Sequence, residues 1–544
     1  MVRWQKVTAL MVVLIFGLSF TLNNKQSRYF EISKNIEIFT RLYEEINTYY
    51  VDEIDPGKLM RTGLDAMMES LDPFTNYISE SDIEGYRYMT EGRYNGIGAT
   101  MEPINGKPTI MELYEGQPAD KGGLKVGDRL IAVDGKTTEG RSVDDIHEIM
   151  RGFPGTEVEL TIERPGESSP KKLKIVREEV EVPNVPYYGM VSEDIGYVTL
   201  TTFTREAGAN VANAVKKLRE DHPNIKGLIF DLRGNGGGLL NEAVNIANIF
   251  IPRNEVVVTT KGKVKDWDRS FKTMGNPVEL DLPMAVLINK GSASASEIVS
   301  GVIQDLDRGV LIGQLSYGKG LVQNTKDIGY NAKLKLTTAK YYIPSGRCIQ
   351  AVSYKDGEPV HIPENQRAQF KTRNGRTVLD GGGVLPDIQL TEASDIPVIK
   401  QLLDQHLVFD YVTEFVQKHP KIDSVQAFRF TAFDEFMSFL QKRGFDYQTG
   451  SEKALAELKE KIKTEGLDAE TELKALTTKI DKKQENELQA AKPVLIKVIE
   501  KEIAGRYYYE DGRIKMSLRN DDEVAEAIRI LHSEQEYKKL LAQQ

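Results

Sequence analysis

Serine and lysine residues in the stretch 289–323 have the types and the order that nucleophilic catalysis requires. Serines alternate with small residues just before an apolar helical pattern, and Lys319 lies between two glycines after a short strand pattern. A helix N-terminus offers unpaired N–H groups and the positive end of a dipole, which suit a developing oxyanion. A lysine in a dry pocket can lose its proton and activate a serine. Spacing alone leaves open the alternative of a Ser/Ala linker followed by a glycine turn.

Strand and helix patterns on the N-terminal side of this stretch must position it. Buried strands are predicted over Gly227–Leu232 and Met284–Asn289, and helices over Ala207–Asp221 and Leu239–Ile251. Strand, turn and helix in succession indicate βαβ units and an α/β fold. The glycine run over Arg233–Gly238 is not followed by the lysine and Ser/Thr of a phosphate-binding loop, which argues against ATP as a ligand.

The stretch 289–323 resembles the catalytic segment of the C-terminal processing peptidases, also called tail-specific proteases, which use a Ser-Lys dyad. The family's nucleophile lies twenty-five residues before the lysine of a Gly-Lys-Gly turn, and a glutamine follows that lysine by four residues. The resemblance therefore implies Ser294 as the nucleophile, Lys319 as the base and Gln323 as the residue that orients the lysine. It also implies a crotonase-like ββα catalytic core.

The same resemblance implies an oxyanion hole made of backbone N–H groups. One N–H is that of Ala295, the residue after the nucleophile, and the other belongs to the glycine loop. Gly236 stands where the family usually has a proline, so Gly237 and Gly238 both remain candidates for the second donor. This chemistry needs no metal and no organic cofactor.

A second unit is predicted over residues 94–179, and it resembles a PDZ domain of the protease-associated type, a small β-sandwich or barrel. In that fold the loop formed here by Gly96, Ile97, Gly98 and Ala99 presents N–H groups to a peptide's terminal carboxylate, and the peptide adds as a strand. Glycines suit the tight turn that this requires. The alternative is that these glycines only form hairpin turns.

Four further segments complete the predicted organisation of the chain. Residues 1–24 have the charged and then apolar layout of an export signal, which is either cleaved or kept as an anchor through residues 7–22. Residues 31–93 are predicted to be helical, residues 186–390 to form the catalytic domain, and residues 391–544 to form a helical extension. The abundant Lys/Glu pairs of that extension favour a solvated arm.

Composition excludes several classes of function. The net charge of −10 and the lack of a basic stripe argue against binding to nucleic acid. Cys348 is the only cysteine, so no internal disulfide and no cysteine-rich zinc site can form. None of the six histidines lies between Gly227 and Tyr342. Serine and lysine remain as the catalytic pair.

The sequence thus predicts a multidomain α/β protein with a PDZ domain before the catalytic domain and helical regions at both ends. We expect an exported serine endopeptidase, periplasmic or otherwise extracytoplasmic, that cleaves proteins with exposed C-terminal tails. Anchoring to the inner membrane through residues 7–22 and self-association are left open. An inactive PDZ scaffold and a crotonase-like acyl-CoA enzyme are the alternatives.

Overall fold

The computed structural model describes residues 28–355, 358–361, 363–391, 396–445, 447 and 449–542. The predicted export signal or anchor over residues 1–24, including the apolar run 7–22, lies outside the described residues. Within those described ranges, no helix has both the length and the apolar character that crossing a membrane would require. The chain forms two compact units, of which the first ends at Tyr77 and the second begins at Ile78.

From residue 28 onward, the first unit contains two helices, α1 over residues 28–49 and α2 (Pro56–Glu69). Asp55 caps α2 by accepting the N–H of Lys58 at 3.0 Å, and a proline occupies the first helical position. Strand β1 (Asn76–Ile78) spans the boundary of the two units.

An antiparallel sheet forms the PDZ-like domain at the beginning of the second unit. Helix α3 (Ile83–Glu91) precedes it, and strands β2 (Arg93–Gly96) and β9 (Glu178–Glu181) pair with each other at its two ends. The sheet has the order β3-β4-β5-β7-β8, and β6 pairs with β5. Its elements are β3 (Ala99–Ile104), β4 (Lys107–Leu113), α4 (Pro118–Lys121), β5 (Arg129–Val133), β6 (Lys136–Thr137), α5 (Val143–Met150), β7 (Glu157–Glu163) and β8 (Lys171–Val176). Strand β3 is an edge strand, as the addition of a peptide strand requires.

A six-stranded sheet in the order β10-β11-β12-β15-β16-β23 is the centre of the catalytic domain. Its strands are β10 (Tyr187–Met190), β11 (Ile195–Thr199), β12 (Gly227–Asp231), β15 (Met284–Ile288), β16 (Val310–Gly313) and β23 (Ile388–Gln389). Strand β10 pairs antiparallel to β11, and the other neighbours are parallel. Strands β12, β15 and β16 are completely buried, which explains their continuous apolar runs.

Helices cover one face of this sheet, and a second sheet packs beside them. The helices are α6 (Ala207–Asp221), α7 (Leu240–Phe250) and α8 (Ala295–Asp305), and their buried side chains share one core with the strands. The second sheet pairs β14 (Arg269–Lys272), β13 (Val256–Gly262), β18 (Ala332–Tyr342) and β17 (Leu321–Gly329) in antiparallel fashion. Two hairpins follow, β19 (Val352–Lys355) with β20 (Glu358–His361), and β21 (Gln369–Lys371) with β22 (Thr377–Leu379).

Helices form the part of the chain beyond β23. They are α9 (Pro397–Asp404), α10 (Leu407–Lys418), α11 (Phe433–Lys442), α12 (Gly450–Glu465), α13 (Glu470–Leu518), α14 (Asp522–His532) and α15 (Glu534–Leu541). Helix α12 buries a single residue, Leu455, in agreement with a solvated arm. Helices α9, α10, α11 and α13, in contrast, bury a core of their own.

Helix α14 returns to the catalytic domain and covers the other face of the central sheet. Val524, Ala527, Ile530 and Leu531 pack in one cluster with side chains of β11, β12, β15 and β16. The expectation of a solvated arm is therefore wrong for this helix. The reason is physical: a parallel sheet is stable only with both of its faces covered, and the second cover comes from far along the chain.

Candidate active site

Three loops with the predicted catalytic groups meet at one edge of the central sheet. The glycine loop 233–238 follows β12, the serine segment 289–294 follows β15, and the lysine loop 314–320 follows β16. These three strands are parallel neighbours. Because the carboxyl ends of parallel strands lie at the same edge, residues up to eighty-seven positions apart come together there.

Ser294 lies at the turn into α8 with an unusual backbone conformation. Its φ is 55° and its ψ is −110°, and a serine with positive φ is strained. Gly237 lies directly against it: a side chain on Gly237 would place its Cβ 2.9 Å from Ser294 Cβ and 2.7 Å from the Ala293 carbonyl oxygen. The turn therefore requires glycine at 237 and holds Ser294 against the glycine loop.

The buried carboxylate of Glu297 joins the serine segment to the lysine loop. Its Oε2 accepts the backbone N–H of Ser294 and that of Lys319, each at 2.8 Å. Its Oε1 accepts the N–H of Gly318 at 2.7 Å and the hydroxyl of Ser316 at 2.5 Å. Since one oxygen atom binds both amides, the nitrogens of Ser294 and Lys319 lie within two hydrogen-bond lengths of each other.

Burial and hydrogen bonding shift the pKa of this carboxyl group in opposite directions. Complete burial raises the pKa of Glu297, and the hydrogen bonds from Ser316, Lys319, Gly318 and Ser294 lower it. All four donors point at oxygen lone pairs, an arrangement that favours the ionised form. Burial is the larger effect, so the pKa of Glu297 lies above its ordinary value; when ionised, Glu297 adds a negative charge close to the backbone of the predicted dyad.

Tyr341 on β18 makes a second bridge between the same two residues. Its hydroxyl lies 2.7 Å from the Lys319 carbonyl oxygen and 3.1 Å from that of Ser294. The ring is buried, which raises the pKa of Tyr341 well above its usual range and keeps the hydroxyl protonated as a donor. The N–H groups and the C=O groups of Ser294 and Lys319 thus bind common partners.

Gln323 lies on β17, directly after the lysine loop. A register shift between Val322 and Gln323 interrupts the pairing of β17 with β18. The side-chain amide of Gln323 donates to Thr337 Oγ1 at 3.2 Å. The predicted role of Gln323 in orienting Lys319 stays a prediction.

The candidate oxyanion donors differ in their hydrogen bonds. The N–H of Gly237 donates to Asn235 Oδ1 at 2.9 Å. The N–H groups of Gly238 and Ala295 make no hydrogen bond within the described part of the chain, and Ala295 N would lie 2.9 Å from a Cβ on Gly237. Ala295 is the first residue of α8, where an unpaired N–H is expected.

Asn235 fixes the conformation of the glycine loop. Its buried side-chain amide donates to the Leu200 carbonyl oxygen at 2.7 Å. Its backbone carbonyl oxygen accepts the Ala293 N–H at 3.0 Å and the Ser296 hydroxyl at 2.8 Å. Asn235, Glu297 and Tyr341 are not among the predicted site residues. The Ser294-x-x-Glu297 spacing of a capping box was the available signal for Glu297.

The predicted tail-binding loop lies between β2 and β3 of the PDZ-like domain. Gly98 has a φ of 80°, and a Cβ there would lie 2.5 Å from that of Gln117, so the turn requires glycine. Ile97 is buried in the domain core, and together with Gly96 and Ala99 it lines a cavity of about 190 Å³. This cavity is further lined by Tyr88, Tyr94, Thr100, Tyr114, His147, Met150 and Arg151.

The chemistry of this cavity suits a peptide end with an apolar side chain. Three tyrosine rings and Met150 supply apolar surface, and Arg151 supplies positive charge. Burial raises the pKa of Tyr94 to about 12 and that of Tyr114 further, so both hydroxyls are neutral at physiological pH. Among the described residues, no group of three or more His, Cys, Asp or Glu side chains is placed to hold a metal ion.

Comparison with known proteins identifies the family. Residues 194–358 match the model of peptidase family S41, residues 109–164 match that of a PDZ domain, and residues 398–531 match a model described as "Probable PDZ-protease, C-terminal helical domain". A carboxy-terminal-processing protease of Bartonella bacilliformis is 36% identical over 342 residues, which cover 62% of this chain and 77% of that protein. The chain belongs to peptidase family S41.

A second relative agrees with this membership. A protein of Staphylococcus aureus (strain COL) described as "Probable CtpA-like serine protease" is 30% identical to this S41 chain over 374 residues, which cover 67% of the chain and 74% of that protein. Among solved structures, the photosystem II D1 C-terminal processing protease aligns with 25% identity and a TM-score of 0.37, covering 66% of this chain and 93% of its own. The S41 chain is a serine-type peptidase with a PDZ domain, and the predicted family is confirmed.

Proposed function

We propose that this S41 peptidase is an exported endopeptidase that cleaves proteins near their C-terminal tails, with Ser294 and Lys319 as its dyad. The observation that carries the proposal is the double bridge between these two residues. Glu297 Oε2 accepts both of their N–H groups, and the Tyr341 hydroxyl lies within 3.1 Å of both of their carbonyl oxygens. Fixed neighbours on both sides preorganise a catalytic pair.

The proposed reaction proceeds through an acyl-enzyme. Neutral Lys319 takes the proton of Ser294, and the serine oxygen bonds to the carbonyl carbon of the scissile peptide. The N–H groups of Ala295 and of Gly237 or Gly238 stabilise the oxyanion. Lys319 then gives the proton to the leaving nitrogen as the C–N bond breaks. Water, deprotonated by Lys319, cleaves the ester, and the proton returns to Ser294.

Tail recognition is assigned to the PDZ domain. The terminal carboxylate accepts N–H groups of the loop Gly96, Ile97, Gly98 and Ala99, and the peptide extends along the edge strand β3. The cavity beside this loop takes the last side chain. Support comes from the left-handed Gly98, from the edge position of β3 and from the apolar lining of the cavity.

Two finer features belong to the same proposal. The protein works outside the cytoplasm, either released or held at the inner membrane by residues 7–22, as the charged and then apolar N-terminal pattern supports. Fractionation of cells and sequencing of the mature N-terminus would test this.

The catalytic core is of the crotonase-like ββα kind, and the succession of β10, β11 and α6 supports that assignment.

The decisive experiment compares the purified chain with its Ser294→Ala and Lys319→Ala variants on an unfolded protein and on a free-acid peptide. Both variants should lose hydrolysis while they keep the circular dichroism spectrum of the parent. Ser292→Ala is the matched control: this buried hydroxyl donates to the Leu232 carbonyl oxygen, so its loss should cost about 1–3 kcal/mol of stability and leave the nucleophile intact. Full activity in Ser294→Ala would refute the nucleophile. An inactive parent that binds tails would instead favour the PDZ scaffold.

A further inference from the structure

The side chain of Arg233, at the start of the glycine loop, is surrounded by three carboxylates. Asp231, at the end of β12, lies 2.6 Å from the guanidinium. The other two carboxylates come from the beginning of α14: Asp521 at 2.8 Å and Glu523 at 2.6 Å. All three carboxylates are at most 12% exposed, and the Arg233 side chain is 21% exposed. Asp521 and Glu523 are almost three hundred residues away from Arg233 in the chain.

Helix α14 holds its two carboxylates firmly in place. Its apolar face is buried on the central sheet through Val524, Ala527 and neighbouring side chains. Asp521 also caps the helix, because its Oδ1 accepts the N–H groups of Glu523 and Val524 at 3.0 and 3.1 Å. The pair therefore reaches Arg233 from a fixed support.

The glycine loop, in contrast, has little stiffness of its own. Four of the six residues in 233–238 are glycines, and glycine restricts the backbone least. Asn289 accepts the N–H of Gly234 at 2.9 Å, and Asn235 ties the middle of the loop to the serine segment. Arg233 adds a further anchor to the loop, because its charged side chain pairs with the three carboxylates.

We propose that Asp521 and Glu523 are positioning residues for the oxyanion loop, and that they act through Arg233. The inference rests on the proposed function, since it takes loop 233–238 to supply an oxyanion donor. Removing both carboxylates leaves Arg233 with Asp231 alone, which lies two residues earlier in the chain at the end of β12. The guanidinium can then turn with the loop, and the donors lose their fixed position against Ser294. Asp521 and Glu523 lie within residues 398–531, which match the C-terminal helical domain model, so this domain would contribute to the positioning of the catalytic groups.

The charges of this cluster predict that the effect of Glu523→Gln on activity depends on pH. The groups that face Glu523 are Arg233, Asp521 and Asp231, and the Tyr197 hydroxyl donates to Asp231 at 2.7 Å. Burial, followed by repulsion from Asp521 and Asp231, raises the pKa of Glu523 to about 7, although Arg233 lowers it. Glu523 Oε1 is buried and has no hydrogen-bond partner in the described structure. Glu523→Gln resembles the protonated group, so its effect should be larger at pH 8 than at pH 6.

The experiment uses the full chain with Asp521→Asn, Glu523→Gln and both together. Asp522→Asn is the matched control, because the Asp522 side chain lies between them in sequence, is 90% exposed and pairs only with Lys497 among the described residues. Since loss of one oxyanion donor costs about a hundred- to thousandfold in kcat, we expect a displaced donor to cost about ten- to a hundredfold, with KM changed by less than about threefold. Amide hydrogen exchange in the peptide 233–240 should become faster in the double variant and stay unchanged in Asp522→Asn.

The two readouts separate this proposal from the proposed function. If the parent and Ser294→Ala are equally inactive, the proposed function fails, and hydrogen exchange in the loop still decides whether α14 positions it. Unchanged exchange at 233–240 in the double variant would overturn the positioning role, as would a loss of activity expressed in KM alone. Asn and Gln keep the shape of the helix start, and Asn keeps the cap, so a single variant serves if the double variant does not fold.

Discussion

The substitution Glu297→Gln tests the bridge between the serine segment and the lysine loop. Each carboxylate oxygen accepts two donors, at 2.5 and 2.7 Å on Oε1 and at 2.8 Å twice on Oε2. An amide keeps one oxygen and turns the other position into a donor, which then faces two N–H or O–H groups. Two charge-assisted hydrogen bonds are lost, at about 1.5–3 kcal/mol each, so we expect a destabilisation of about 3–6 kcal/mol.

The substitution should also slow catalysis in the molecules that stay folded. If the amide nitrogen replaces Oε2, the N–H groups of Ser294 and Lys319 both lose their common acceptor, and the two residues are free to separate. A misplacement of about 1 Å costs on the order of a hundredfold in rate, so kcat should fall by at least that factor in the molecules that remain folded. Thermal unfolding gives the folded fraction, and initial rates on a free-acid peptide give kcat and KM.

Glu279→Gln is the control for a buried glutamate away from the site. Its Oε1 accepts two backbone N–H groups at 2.9 Å in the loop before β15, and it pairs with Arg219. This variant should lose stability and keep its kcat per folded molecule. A kcat for Glu297→Gln within about threefold of the parent would refute the reasoning, because the bridge would then contribute nothing to the geometry of the pair.

Three further predictions follow from the site and its surroundings. Gly237→Ala should lower kcat at least about a hundredfold, because the new Cβ would lie under 3 Å from Ala293 O and Ala295 N at a φ of 99°. Gly236→Ala is the control, since a Cβ at position 236 meets nothing within 4 Å, and this variant should keep its activity. Equal kinetics of the two variants would contradict close packing at position 237. Amidation of a substrate's C-terminus should raise KM about ten- to a hundredfold through the loss of charge-assisted bonds, and equal cleavage of acid and amide peptides would remove the PDZ loop from tail recognition. The pKa of Glu523, raised from 4.5 to about 7, means that the folded state binds the extra proton, so stability should fall by about 3 kcal/mol as pH rises from 4.5 to 7. The unfolding temperature of Glu523→Gln should therefore fall less than that of the parent as the pH rises across this range. Parallel curves for the variant and the parent would contradict a raised pKa of Glu523.

The sequence predicted the elements of the catalytic domain because each has a local signal. The helix over Ala207–Asp221 has the predicted bounds, and the buried strands 227–231 and 284–288 differ from the prediction by one residue at one end. Continuous apolar runs identify buried parallel strands, and helical periodicity identifies the cover on one face. The family resemblance supplied Ser294 and Lys319, and the parallel order of β15 and β16 explains why the two meet.

The partners that join these residues had no comparable signal. Tyr341 has no local signal of a role in the site, and its hydroxyl becomes a bridge through the pairing of β18 in another sheet. The apolar face of α14 is a visible helical pattern, yet no local pattern states which surface it covers. The ion pairs of Arg233 with Asp521 and Glu523 depend on that packing, so they could be found only from the fold.

The cover that α14 forms on the central sheet also bears on how the peptidase is made. Ribosomes synthesise chains from the N-terminus, and domains begin to fold as they emerge. Ser294 and Lys319 are complete some two hundred residues before Val524 and Ala527 can pack on strands β12 and β15. Until then, one face of the sheet is bare and Arg233 lacks two of its three carboxylates. The nascent chain thus carries the two residues of the proposed dyad well before it carries a finished domain, a delay that would protect the proteins around it during synthesis.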